Sequence, residues 1–301
     1  MMFITYKKIC FGIIAAISLA SIASLAIFGL NISTDFTGGT LIEIRYDSGL
    51  PEKEALAASL EAAGLESVSV RESEGGFIVR AAPMSPEARA ALAGSVNVAG
   101  MEGSIGRLSD IGPSMGTELR NKAFLALSLV VLCIVLFVAF AFRKVSEPVS
   151  SWVYGLMTIV TLAHDVIVPL GAFALFGYLW GAHVDTLFVT AILTVLGYSV
   201  HDTIVVFDRT RENLAHNKER NKKEEFALVA GRAIEQTFSR SVNTSLTTLA
   251  SLGALYFVGP AETQDFALTL IVGIAAGTYS SIALATPLLV AYEERLRAKK
   301  K

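Results

Sequence analysis

The chain has 301 residues, 53% of them hydrophobic and 17% charged, with a formal net charge of −2. Soluble chains average roughly 45–50% apolar and about 25% charged, and here the surplus is gathered into runs without Asp, Glu, Lys or Arg, such as 9–34, 123–142, 241–261 and 266–292. This excludes a soluble enzyme, and the near-neutral charge offers no electrostatic footprint for nucleic acid.

Residues 1–30 form a short tail with Lys7 and Lys8, followed by an apolar helix over 9–30. Its 22 residues exceed a signal-peptide core of about 7–15, so the segment is predicted to stay as the first membrane anchor. Residues 31–120 change character: acids and glycines appear and the periodicity is mixed. Thr40 to Tyr46 alternates as a strand, with Ile42, Ile44 and Tyr46 on one face. Pro51 and the acids Glu52 and Glu54 open a helix on which Leu56 and Leu60 share a face, and Gly64 ends it. Strands at 67–72 and 76–81, joined at Glu74-Gly75, come next. Ser85-Pro86 then caps a helix stopping near Gly94, and residues 96–111 supply the last strand. The order β-α-β-β-α-β predicts a small ferredoxin-like α+β extracytoplasmic domain between the first and second membrane helices. It contains no His and no Cys, hence no nucleophile–base pair, and is expected to bind or to move.

About 20 residues rising ~1.5 Å each cross a ~30 Å hydrocarbon core. Residues 121–301 accordingly hold five further spans, at 121–142, 149–174, 185–207, 241–258 and 267–291, with a cytoplasmic segment at 208–240 and a basic tail. The fold class is a polytopic α-helical membrane protein with six transmembrane helices. Lys7 and Lys8, Arg143 and Lys144, eight Lys and Arg between 208 and 240, and five after 294 all fall on one side, which the positive-inside rule makes cytoplasmic, together with both termini. Cys10 and Cys133 fall inside spans, so neither disulfide nor metal site is expected. Gly273 and Gly277 form a small-xxx-small pair suited to close helix packing. Residues 224–238 could lie on the cytoplasmic membrane face or form an ordinary solvated helix.

Charged groups inside a membrane cost ~2.5–3.5 kcal/mol each on insertion scales and therefore point to function. Asp202 lies in the fourth span with Tyr198 and Ser199 at i−4 and i−3, and Arg240 opens the fifth at similar depth. Thr244, Thr247 and Ser251 continue the Arg240 face. An Asp202–Arg240 pair whose approach and separation change the carboxylate's hold on a proton could couple protonation to helix movement. Asp165, with Thr158 and Thr161 on its face, is a second-rank relay candidate. His164 and His201 point about 100° away from the aspartates that follow them and are expected to be interhelical contacts.

Several stretches resemble the SecF subunits of the SecD/SecF family of the bacterial protein-export machinery. They are Asp35-Phe-Thr-Gly-Gly39, Ile111-Gly-Pro-Ser-Met-Gly116, Gly197-Tyr-Ser-Val-His-Asp-Thr to Asn213, Arg240 with Ser241 to Thr248, Asp265-Phe-Ala-Leu and Gly277-Thr-Tyr-Ser-Ser-Ile282. Two positions depart from the family pattern: His201 stands where Asn is expected, and Thr34 where Gly is common. The resemblance implies half of a resistance-nodulation-division transporter in the bacterial inner membrane, with SecD supplying the other six helices and SecYEG, YajC and the translocating unfolded polypeptide as further partners. It implies that Asp202 and Arg240, with Thr244 beside them, couple the proton or sodium motive force to late steps of export, with no cofactor and no covalent chemistry. The alternatives are half of a proton-coupled small-molecule or lipid efflux transporter, and a passive scaffold of the export channel.

Overall fold

The computed structural model describes residues 2–47, 49–73, 75–142 and 149–300. Glu74 of the predicted strand joint, and Arg143, Lys144 and Lys301 of the charge pattern, lie outside them. In chain order the elements are α1 (Met2–Thr5), α2 (Lys7–Phe28), α3 (Thr34–Thr37), β1 (Gly39–Tyr46), α4 (Lys53–Ala62), β2 (Ser69–Ser73), β3 (Gly76–Ala81), α5 (Pro86–Ser95), β4 (Gly103–Ile111), α6 (Pro113–Ala141), α7 (Ser151–Trp180), α8 (Thr186–Glu219), α9 (Phe226–Val258) and α10 (Ala261–Ser280). A π-helical turn, Ser281–Ala285, then joins α10 to α11 (Thr286–Lys300).

Among the described residues five helices are long and apolar enough to cross a membrane: Lys7–Phe28, Pro113–Ala141, Ser151–Trp180, Thr186–Glu219 and Thr263–Lys299. The segment expected as the fifth of six spans, 241–258, is helical as the second half of α9, but its Ser, Thr and Asn residues keep α9 out of this apolar set. The first half of α9 corrects an expectation. Phe226, Val229, Ala233 and Ile234 are at most 2% exposed, and the first and last of these pack with Tyr154, Phe207 and Leu289. The apolar face of residues 224–238 therefore closes the protein's own core, while Glu225, Leu228, Glu235, Gln236 and Phe238 stay exposed.

The strands form one antiparallel sheet of order β2-β3-β1-β4. α4 connects β1 to β2 and α5 connects β3 to β4, so each helix crosses over one intervening strand. Ile42, Ile44 and Tyr46 are buried as their alternation dictates, against Leu56, Leu60, Phe77, Val79 and Leu92. The Ser85 hydroxyl caps α5 by accepting from the Ala88 N–H at 3.1 Å. The last strand is shorter than its apolar run, because Val96 and Val98 are buried in the core while Ala99 and Gly100, at φ +53° and +78°, turn the chain before β4 begins.

Two glycine-containing motifs meet where the chain enters and leaves the sheet. A Cβ on Gly38 would lie 2.8 Å from the Pro113 Cα, and one on Gly116 would lie 2.7 Å from the Gly38 nitrogen. Asp35-Phe-Thr-Gly-Gly39 and Ile111 to Gly116 thus form one close crossing of the two strands of chain. Small residues also set the helix packing: Gly273 faces Val195 and Gly277 faces Ser199, so the small-xxx-small pair seats α10 on α8 within the chain.

Gly171 of α7 abuts the backbone of Ser21 in α2, and the Ser24 hydroxyl donates to the Gly171 carbonyl at 2.8 Å. A larger side chain there has to push the first helix away. Gly171→Leu is expected to lower unfolding stability by about 1–3 kcal/mol, read as the denaturation midpoint of the full chain in micelles; an unchanged midpoint would contradict this packing.

Candidate functional site

α8 begins where the Asp185 side chain accepts from the Phe188 N–H at 2.7 Å, and it carries Asp202 about 24 Å along its axis. Asp202 is 8% exposed. Its Oδ1 accepts from the Ser241 hydroxyl of α9 at 2.7 Å, and its Oδ2 accepts from the Ser281 hydroxyl, at the first residue of the π turn, at 3.1 Å. Three separate segments therefore converge on one carboxylate.

The expected partner, Arg240, is not in contact. It is exposed, and among the described residues no ion pair joins it to Asp202. Consecutive helical residues are turned by about 100°, so α9 can present Ser241 or Arg240 to Asp202, but not both at once. Thr244 is exposed with Arg240, Thr247 and Ser251. On α8, Thr190, Thr194, Gly197 and His201 are exposed likewise. These faces flank the seam at which the Tyr198 hydroxyl reaches Ser245 at 3.3 Å and Thr248 at 3.4 Å. His201 thus belongs to an open polar face rather than to an interhelical contact.

Asp165 of α7 is fully buried. One of its oxygens accepts from the Ser199 hydroxyl, and the other, Oδ1, has no partner. Thr158 and Thr161 share its helix face but donate to the carbonyls of Tyr154 and Met157, each at 2.9 Å. His164 ties three helices, with Nδ1 2.8 Å from the Ser18 hydroxyl of α2 and Nε2 2.6 Å from the Tyr279 hydroxyl of α10. As expected for His164, its role is an interhelical contact.

A second polar cluster lies where the sheet meets the helix ends, and sequence reading missed it. Arg71 of β2 donates to Asp265 of α10 at 2.5 Å. Arg80 of β3 reaches the His183 Nδ1 at 3.4 Å, and its buried Nε has no partner. Asp35 accepts from the Thr186 N–H at 3.2 Å and the Thr186 hydroxyl at 3.0 Å. Asp35, Arg71, Arg80, Thr186 and Asp265, with Glu43 and Arg107, line a cavity of about 290 Å³. Burial, reinforced by the Arg80 cation, pushes His183 down to about 4. Burial, reinforced by the Asp35 carboxylate, pushes Asp185 up to about 6 against the opposing Phe188 N–H. The contacts join β2 and β3 to residues more than 100 positions away, and only the Asp265 motif hinted at them in the sequence.

A family model described as the C-terminal region of the protein export membrane protein SecD/SecF matches residues 94–295, and one for the SecD/SecF GG motif matches residues 23–49. The chain is 40% identical over 287 residues to the protein translocase subunit SecF of Thermobaculum terrenum, covering 90% of this chain and 87% of that one. It is 35% identical to SecF of Anaerolinea thermophila, covering 95% and 92% of the two chains. The crystal structure of SecDF, a translocon-associated membrane protein from Thermus thermophilus, is similar with a TM-score of 0.84 at 32% identity; the match covers 98% of this chain and 39% of that one.

Two of the shifted groups at the junction, His183 and Asp185, act in opposite senses. The contribution of His183, depressed from 6.5 to about 4, is present above 6.5 and lost as pH falls through about 4. That of Asp185, raised from 3.8 to about 6, is present below 3.8 and lost as pH rises through about 6. The wild type should therefore change little between pH 4 and 6. His183→Gln should become more stable as pH falls through that window, and Asp185→Asn less stable. Thermal unfolding of each full-length variant across the window checks the signs, and parallel curves for both variants would refute the assignment.

Proposed function

The chain belongs to the SecD/SecF family of protein-export membrane proteins, and from that premise we propose that it acts as a SecF-type translocase subunit in the bacterial inner membrane, using the proton or sodium motive force to promote late steps of polypeptide export. In this reading α9 completes six spans through 241–258, both termini are cytoplasmic, and residues 31–120 form a ferredoxin-like outer domain. The membrane part comprises residues 121–301, and SecD supplies the other six helices of a twelve-helix unit. SecYEG, YajC and the unfolded chain in transit are the remaining partners.

The observation that carries the reading is the placement of Asp202. It is a buried carboxylate held by hydroxyls from two neighbouring segments, one residue away from an arginine on one of them. Protonation removes the charge that those hydroxyls stabilise and loosens both. A turn of α9 that replaces Ser241 with Arg240 does the reverse, because a guanidinium favours the ionised form. Thr244 and the other exposed polar residues of α8 and α9 would be costly against lipid, and SecD is the cover proposed for them.

The elements that hold Asp202 also reach the outer domain. α8 is tied to it through Thr186 and Asp35, and α10 through Asp265 and Arg71. Each runs about 24 Å from that tie to the Asp202 site. A shift at one end is therefore delivered to the other by a rigid rod. One charge crossing ~100 mV releases ~2.3 kcal/mol, comparable to one or two net hydrogen bonds at about 1 kcal/mol each. Repeated cycles can bias the movement of a chain held by the outer domain.

The test is export of a stalled precursor from inverted vesicles after its ATP-driven step, with the proton and sodium gradients collapsed separately. Asp202→Asn and Arg240→Met, each still copurifying with SecD, should reduce export to the gradient-collapsed level. Undiminished export in both would support a passive scaffold. Gradient flux driven by a small molecule or lipid, without a precursor, would instead support an efflux transporter.

A further inference from the structure

The coupling scheme above uses Asp202 and leaves the more deeply buried Asp165 idle. Asp165 is fully enclosed, has one hydroxyl donor in Ser199, and its Oδ1 meets no polar group. Among the described residues no cation pairs with it. A buried ionised carboxylate in that setting is expensive, because removing a charge from water without pairing costs several kcal/mol. Asp202, with two donors on its two oxygens, is the better placed of the two acids to carry a charge.

The two acids lie on different helices and share one neighbour, the end of α10. Ser281 donates to Asp202, and the preceding Ser280 is fully buried and donates to the carbonyl of Gly277, the residue that packs against the Ser199 donor of Asp165. Consecutive residues are turned by about 100°, so the two hydroxyls leave the helix in different directions. The helix stops being α-helical at this point: Ser281–Ala285 is a π turn, every residue of it buried. Single π turns are rare, and their extra residue changes the phase of everything that follows. Just beyond, the Thr286 hydroxyl is buried without a partner, as expected where the regular ladder is interrupted. Gly277, one turn before, lets α10 press against Ser199, the donor to Asp165.

We propose that Asp165 is a second proton-carrying group coupled to Asp202, and that Ser280 and Ser281 are positioning residues which the π turn moves between the two carboxylates. In the resting arrangement Asp165 holds a proton and Asp202 is ionised. When a proton reaches Asp202, its hold on Ser281 is lost and the π turn shifts. The Asp165 proton then passes to water. An O–H bond of the hydronium that delivered the first proton breaks as one forms at Asp202, and the Asp165 O–H breaks as one forms on the accepting water. Transfer of the Asp202 proton to Asp165 restores the resting pair, with one charge carried overall. The inference rests on the ion-coupled reading of Asp202 but is tested apart from it.

The experiment is infrared difference spectroscopy of the full chain with SecD in lipid nanodiscs at neutral pH, joined to the vesicle export assay. A buried carboxylic acid C=O band is expected in the wild type, and its loss both in Asp165→Asn, which lacks the acid, and in Asp202→Asn, whose neutral side chain stands for the protonated state that releases the Asp165 proton. Ser199→Ala should keep the fold and move the band to higher frequency by removing its hydrogen bond, which covers the case in which Asp165→Asn does not assemble. Ser280→Ala should shift the pH profile of gradient-driven export with SecD still bound. Absence of the band in the wild type, or its persistence unshifted in both Asp165→Asn and Ser199→Ala, overturns the proposal. Loss of export in Asp202→Asn alongside either result leaves the main reading intact, so the two failures are distinguishable.

Discussion

A carboxylate in a membrane interior has to be paid for by donors, and at Asp202 the donors come from two different elements of the chain. Ser241 rides on α9, and Ser281 on the π turn that follows α10. Because the cost of the charge is met by groups on two elements, removing the charge releases both. In the proposed coupling the arrangement is sensitive to protonation, and among the described residues no ion pair holds it.

That sensitivity has consequences only because the helices are rods with both ends in use. The Arg71–Asp265 bridge and the Asp35–Thr186 contacts sit at the far ends of the helices that frame Asp202. The junction is polar, partly hollow and crowded with charge, whereas the helix packing beneath it is set by close contacts at glycines such as Gly273 and Gly277. In the proposed function, displacement falls at this polar junction rather than within the close-packed bundle.

How much of this could be read from the residues depends on the kind of information each feature needs. Apolar runs placed the long helices, and alternation placed Ile42, Ile44 and Tyr46 in the core; both are local periodicities. The cap at Ser85 was equally local. The Asp202 region was legible because an intramembrane acid is costly wherever it sits. Depth along a helix can be counted but its rotation depends on tertiary packing, and in this structure Ser241, the neighbour of Arg240, is the residue that contacts the acid. Ser281 lay within the Gly277 to Ile282 motif, but its contact with Asp202 joins positions 79 apart and is set by tertiary packing. The junction of Arg80, His183 and Asp265 needs contacts across more than 80 positions, which periodicity does not encode.

The central claim is that the charge on Asp202 sets the position of the sheet domain. The most direct measurement is the distance distribution between spin labels at the exposed positions Glu61 on α4 and Leu179 near the end of α7, in the full chain with SecD. Wild type and Asp202→Asn would be compared at one fixed pH, so that the junction groups titrate equally in both. The account predicts that the neutral variant shifts the population to a different distance. Identical distributions would contradict it.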